Sequence, residues 1–283
     1  MILYILGVIC LIALFFICVM IYDCHRFVVR DYYIESDKVS DDIDILVLSD
    51  LHSKSFGKDN EKLLSRINEL PHDFIVVAGD MYTAVKSDRG DVALKLFNKI
   101  AKDNVIYYSN GNHEEKTRLL PEEFNNNYEK YTDKIKELGI KHIVNDSILA
   151  KSNIKIYGLE LPFKYFKKFK KVSPTKEEIA ECIGQVEDNK LNILIAHNPQ
   201  YFDAYADWGA DITISGHLHG GLVRFPYIGG ILSPNYTLFP KYSGGKYNIG
   251  DKVMVLSCGL GTHHIPLRVF NPGELSYIHI KRK

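Results

Sequence analysis

The stretch Ile43–His52, IDILVLSDLH, decides the fold: an apolar run ends in a small residue and then in two side chains that bind metals. The same design recurs at His72–Asp80 (HDFIVVAGD), Asn104–Glu114 (NVIYYSNGNHE), Asn192–Asn198 (NILIAHN) and Asp211–His219 (DITISGHLH). Short runs rich in Ile and Val, bounded by turn residues, read as buried strands. Helical patterns lie between several of them, over 59–70, 88–102, 121–138 and 174–189. Pro121 and Pro174 stand where helix starts tolerate proline. Strands alternating with helices predict a layered α/β domain. Residues 220–250, rich in Gly, Pro and Tyr, read as long loops, and 252–258 and 275–280 as two last strands.

Working outward from the runs, the polar residues at their ends form a pattern. Asp50 and His52 are two apart, so an extended chain would turn both to one side. His217 and His219 repeat that spacing, and Asp80, Asn112 and His197 each end another run. Ligands gather at the carboxyl ends of strands in α/β folds. Seven O/N donors at one edge are too many for one tetrahedral ion and suit two divalent ions sharing a carboxylate. Imidazole with carboxylate and no thiolate favours Mn, Fe, Zn or Co. Such a pair would lower the pKa of a bridging water to give hydroxide and stabilise an in-line displacement at phosphorus. Taken singly, a strand-end Asp is usually a turn cap and a lone His is usually structural. Two same-side pairs and three further donors, all following apolar runs, set that plainer reading aside.

The motifs Asp50-Leu51-His52, Gly79-Asp80, Gly111-Asn112-His113-Glu114, Ala196-His197-Asn198 and Gly216-His217-Leu218-His219 together resemble the calcineurin-like metallophosphoesterase superfamily. Gly220-Gly221, Gly259-Leu260-Gly261 and Pro266-Leu267-Arg268 look like its membrane-associated bacterial branch, similar to the YkuE and YaeI proteins. The resemblance implies an α/β fold, a four-layer α/β/β/α metallophosphoesterase sandwich. It implies one metal site from Asp50, His52, Asp80 and His219 and a second from Asp80, Asn112, His197 and His217, with Asp80 bridging. His113 would protonate the leaving oxygen or hold the phosphoryl group, and Glu114 would orient His113. Many members have Asp where Glu114 stands and another Asp where Thr83 stands. No Arg-Gly follows the Gly79-Asp80 element, which argues against a protein Ser/Thr phosphatase. Leu218 replaces a Thr common in the branch, and its backbone role is expected to survive. His263 and His264 are candidates to line the pocket, or else a polar loop. Arg268 is a candidate for substrate phosphate, since a guanidinium fork matches phosphate oxygens, or else a surface ion pair. His25, His72, His142 and His279 carry no pattern and read as structural or exposed.

Met1–Tyr22 carries no charged side chain. As a helix it would span roughly 33 Å, enough for a bilayer core. It lacks a basic start and a small-x-small cleavage site, so it reads as an uncleaved single-pass anchor rather than a signal peptide. Arg26 and Arg30 follow it, which places the domain on the cytoplasmic side. The expected organisation is a transmembrane anchor over 1–22, a linker over 23–42 and a catalytic domain over 43–283. Equal numbers of basic and acidic residues, 35 and 35, exclude a net positive field for nucleic acid. The five cysteines include no CxxC, so neither a zinc ribbon nor a disulfide framework is expected. Leu161–Lys171, LPFKYFKKFKK, alternates lysine with aromatics and points to a lipid surface, or else to a solvated charge run. Three functions follow: a membrane-anchored phosphoesterase acting on a small or lipid phosphoester; a pyrophosphatase of a nucleotide-linked acyl sugar, of the UDP-2,3-diacylglucosamine type, as in some relatives; and a metal-free binding scaffold, disfavoured because every ligand position is filled.

Overall fold

Each of the five quoted runs forms a strand. The computed structural model describes residues 1–151, 153–162, 165, 172–225, 228–233, 237–262 and 266–283. Its first half runs α1 (Ile2–Cys24), β1 (Phe27–Ser36), β2 (Ile43–Leu48), α2 (Glu61–Glu69), β3 (Phe74–Ala78), α3 (Asp91–Ile100), β4 (Ile106–Ser109), α4 (Asn112–Leu119), α5 (Asn127–Glu137), β5 (Lys141–His142) and β6 (Asp146–Lys151). There follow β7 (Ile154–Leu159), α6 (Lys176–Ile183), β8 (Leu191–Ala196), α7 (Phe202–Trp208), β9 (Ile212–Ser215), β10 (Val223–Phe225), β11 (Gly229–Leu232), β12 (Gly245–Ile249), β13 (Lys252–Leu256) and β14 (Gly273–Arg282). One six-stranded sheet has the order β1-β14-β2-β3-β4-β5 and the other β12-β13-β9-β8-β7-β6.

Side-chain alternation explains why the runs are apolar throughout. In β2, Ile45 and Val47 enter the core between the sheets, while Leu46 and Leu48 pack outward with Leu63, Leu96 and Phe97 of α2 and α3. In β8, Ile193 and Ile195 face inward, and Leu194 packs outward with Ile179 and Trp208 of α6 and α7. Both faces of each central strand are therefore covered, which gives four layers, α/β/β/α.

Several boundaries differ from the sequence expectation. Residues 27–36, expected within a linker, form β1, paired in parallel with β14 from Phe27↔Gly273 to Ser36↔Arg282. Tyr32 and Ile34 are buried between the sheets, while Asp31 and Glu35 face out from this edge strand, and that mixture hid it. The helix expected from Pro121 begins at Asn127, because Asn125 and Asn126 take left-handed φ of 55° and 54°. α4 begins inside the Gly111–Glu114 motif and α7 after Asn198; both are short and carry little period of their own. The loops of 220–250 contain the β10–β11 hairpin and β12. Tyr165, placed by the sequence at a lipid surface, is a core residue packed with Tyr201. Phe163, Lys164 and 166–171 lie outside the described residues.

α1 stands outside the sandwich: only Asp23 and Cys24 of it are buried, and it is long and apolar enough to cross a membrane. Its exit point follows from register. The start of β14 lies beside the end of β2 (Ser276↔Val47), and the start of β1 lies beside the start of β14. α1 therefore joins the domain at the edge where β2, β3 and β4 end.

Candidate metal centre

The loops that leave β2, β3, β4, β8 and β9 bring all seven expected donors to that edge. Asp50, His52 and His219 form one cluster and Asp80, His197 and His217 another; His52, Asp80 and His113 form a third that links them. His52 Nε2 lies 3.1 Å from His219 Nε2, and His197 Nε2 lies 3.0 Å from Asp80 Oδ2. Asn112 Oδ1 is 2.6 Å from His217 Nδ1. Asp50, Asp80, His52, His197 and His219 are buried, while Asn112 and His217 are half-buried, so the cluster opens to solvent on their side.

The pairs converge by a different route from the one the spacing suggested. β2 ends at Leu48, and Asp50 and His52 have φ of 50° and 47°; Asp80, His217 and His219 are likewise left-handed at 54°, 75° and 50°. These are tight turns, not extended chain, and such strain in non-glycine residues collects at functional sites. Backbone N–H groups hold the turns: Asp50 N donates to Gly79 O (2.9 Å), His52 N to Asp80 O (3.1 Å) and His217 N to the Asp50 carboxylate Oδ1 (3.0 Å). Gly111 is required because a Cβ there would collide with the Asp80 carboxylate.

Second contacts fix the rings. His197 Nδ1–H donates to Ala78 O at 2.6 Å, which turns Nε2 toward Asp80. His113 Nδ1 accepts the backbone N–H of Ala84 at 2.7 Å, so a neutral His113 carries its proton on Nε2, the atom 4.0 Å from Asp80 Oδ2. Glu114 does not orient His113. Its carboxylate accepts the N–H groups of Asp80 (2.8 Å), Met81 (2.9 Å) and Gly111 (2.9 Å) and the Tyr108 hydroxyl (2.8 Å). It thereby ties the β3 and β4 loops together.

The donor set fits a divalent metal. Two buried carboxylates and three buried imidazoles stand within contact of one another. Burial, reinforced by Asp80, raises the Asp50 carboxyl to about 6. Burial also opposes charge on His197, but Asp80 and Asp50 override it and raise the ring to about 10. Without a cation the cluster must therefore hold protons, which metal binding would release. Imidazole and carboxylate without thiolate match a borderline divalent ion.

A model of the calcineurin-like phosphoesterase family matches residues 43–221. The chain belongs to that family. Among its relatives, the uncharacterised metallophosphoesterase Cj0846 of Campylobacter jejuni is 25% identical over 90% of this chain and 63% of its own length. YkuE of Bacillus subtilis, an uncharacterised metallophosphoesterase, is 29% identical over 35% of this chain and 34% of its own. A zebrafish transmembrane protein with a metallophosphoesterase domain is 22% identical over 84% of this chain and 53% of its own. The chain thus spans less than two-thirds of the length of these relatives.

Arg268 does not face a substrate. It is 2% exposed, and its guanidinium donates to the carbonyls of Gly259 (2.9 Å), Cys258 (2.9 Å), Asn271 (3.1 Å) and Gly261. Gly261 N in turn donates to Asp50 O and Leu260 N to Ser49 O, so Arg268 braces the loop behind Asp50. An arginine in a Gly/Pro-rich stretch reads equally well as an anion binder; only folding brings the carbonyls around it. His263 and His264 lie outside the described residues. Thr83 and Ser53 both donate to Asp88, at 2.7 Å and 2.8 Å, a residue that no motif marks. Asn271 lies in no motif either: its Nδ2 donates to His219 O (2.6 Å), and its N–H donates to Asp23 of α1 (3.0 Å).

Proposed function

We propose that this chain is a membrane-anchored phosphoesterase that hydrolyses a phosphoester with two divalent metal ions. The observation that carries it is the convergence of seven imidazole, carboxylate and amide donors at the strand ends. Asp50, His52, Asp80 and His219 would hold one ion, and Asp80, Asn112, His197 and His217 the other. When bound, the ions would supply Lewis acidity to the phosphoryl oxygens and to water. His113, with its Nε2–H aimed into the cluster, would donate a hydrogen bond to the phosphoryl group and hold it in place. Glu114 would keep the two loops that carry Asp80 and Asn112 at fixed separation. The half-buried Asn112–His217 side is the way in for substrate.

A lipid phosphoester is favoured because α1 leaves the sandwich at the donor edge, so a spanning α1 would hold that edge near the bilayer surface. Arg26 and Arg30 after the helix support a cytoplasmic domain. In the test, the full chain in detergent is stripped with chelator and reloaded with Mn²⁺, Zn²⁺, Fe²⁺ or Co²⁺. It is then assayed on bis-p-nitrophenyl phosphate and on phospholipid in mixed micelles. Metal-restored hydrolysis is the expected result. Elemental analysis finding no bound metal after loading would end this reading.

A further inference from the structure

We propose that a second site, beside α1 and separate from the metal centre, binds the phosphate headgroup of an anionic bilayer phospholipid. The proposal rests on α1 spanning the membrane. The site is a cavity of about 560 Å³ lined by Arg30, Arg224, Lys241, Phe225, Phe239 and Phe270 among others. It lies between the edge strands of the two sheets, β1 and β12, and shares no residue with the seven donors.

Charge is the first argument. Three cations line the cavity, and no carboxylate does among the described residues. The Arg224 guanidinium is held by Gly244 O at 3.0 Å, a neutral acceptor that orients it and leaves its charge unbalanced. Arg30 meets Glu274 through Nε at 3.3 Å, and that carboxylate also accepts Tyr32 OH (2.9 Å) and Ser276 Oγ (2.6 Å). Lys241 pairs with Asp203 across a 3.0 Å contact in which both side chains are mostly exposed, so exchanging that partner for a phosphate costs little. Guanidinium forks suit phosphate oxygens, and the cavity has the size of a small-ligand site.

Position is the second. Phe270, in the cavity wall, contacts Phe225 at 5.5 Å and Phe15 and Phe16 of α1 at 6.3 and 6.1 Å. Phe15 and Phe16 precede the end of α1 by eight or nine residues, roughly 12 Å along the axis. On a spanning α1 those rings lie roughly 10 Å inside Tyr22, so Phe270 would sit in the acyl layer below the headgroups. Ile228, Leu238 and Phe239 nearby are 65%, 65% and 66% exposed. Large apolar side chains left that open, beside a cationic cavity at the foot of a membrane helix, fit acyl chains below a phosphate.

The test uses the delipidated full chain in detergent and native mass spectrometry, with phosphatidylglycerol, phosphatidylcholine of the same acyl chains, or inorganic phosphate as probe. Phosphatidylglycerol should be retained at least ten-fold better than phosphatidylcholine, and inorganic phosphate should not displace it at millimolar concentration. Arg30→Gln with Lys241→Glu should lower that retention at least ten-fold, and Phe239→Asp should lower retention of both lipids; bound metal per chain reports that each variant is folded. Equal retention of the two lipids would overturn the proposal. So would displacement by inorganic phosphate, or wild-type retention by the folded charge variant. Carbonate extraction of the chain from membranes is read separately: release would refute the spanning helix, whereas a chain that stays in the membrane yet shows no lipid preference refutes only this site.

Discussion

Asp80 is the residue on which the two donor clusters meet. His197 Nε2 is 3.0 Å from its Oδ2, and His113 N donates to its Oδ1 at 2.8 Å. Burial works to raise its carboxyl, but His197, His113 and His52 outweigh that and hold it well below the ordinary range. It is thus ready to ligate as an anion. Asp80→Asn should lower bound Mn²⁺ or Zn²⁺ to half of wild type or less by elemental analysis. His113→Ala should leave metal content unchanged and lower turnover about 10²–10³-fold, the usual worth of one hydrogen-bond donor to developing charge. Equal metal loss in the two variants would show that His113 is a ligand rather than a hydrogen-bond donor.

At the scale of elements, the site is a set of turns braced from behind. Glu114 at the start of α4 fastens the β3 loop to the β4 loop. Arg268 performs the matching task for the loop after β13. Buried carbonyls left without donors are costly, and hydrogen bonds to a charged group contribute about 1.5–3 kcal/mol each. Arg268→Lys keeps the charge and loses the planar fork that reaches several carbonyls at once. That variant should melt several degrees lower and need at least ten-fold more metal for half-maximal activity. Its KM for a soluble phosphodiester at saturating metal should stay within two-fold of wild type. A rise in KM with no change in metal requirement would return Arg268 to the role of a phosphate binder.

For the whole molecule, the end of α1 is structurally part of the domain. Asp23 is 2% exposed, accepts Asn271 N–H at 3.0 Å and bridges to Arg26 at 2.8 Å, and Asn271 in turn holds the carbonyl of His219. Asp23, Asn271 and His219 thus join the end of α1 to the donor cluster. A chain beginning at Asp23 should keep the stability of the domain, whereas one beginning at Phe27 should lose about 1–3 kcal/mol. For a domain of this size that is roughly 3–10 °C in melting temperature. Thermal unfolding of the two forms side by side decides the point, and identical midpoints would mean that α1 is only a tether.

The sequence alone determined the central strands and marked the seven side chains that the fold gathers at one edge. A strand covered on both faces must be apolar without a break, and metal ligands must be of a few residue types, so both signals are local and written in consecutive residues. The helix ends were legible to within several residues, and less where Asn125 and Asn126 turned the chain. What tertiary structure decided depends on groups remote in the chain. β1 is a strand only because β14, more than 200 residues later, lies beside it. Glu114 serves Asp80 and Met81 rather than its neighbour His113, and Arg268 is enclosed by carbonyls from both ends of its own long loop and by that of His219. α1 stands at the donor edge because β14 runs antiparallel to β2. Each of these roles follows from which backbone groups become buried together and must find partners, and that is settled when the sheets close on one another.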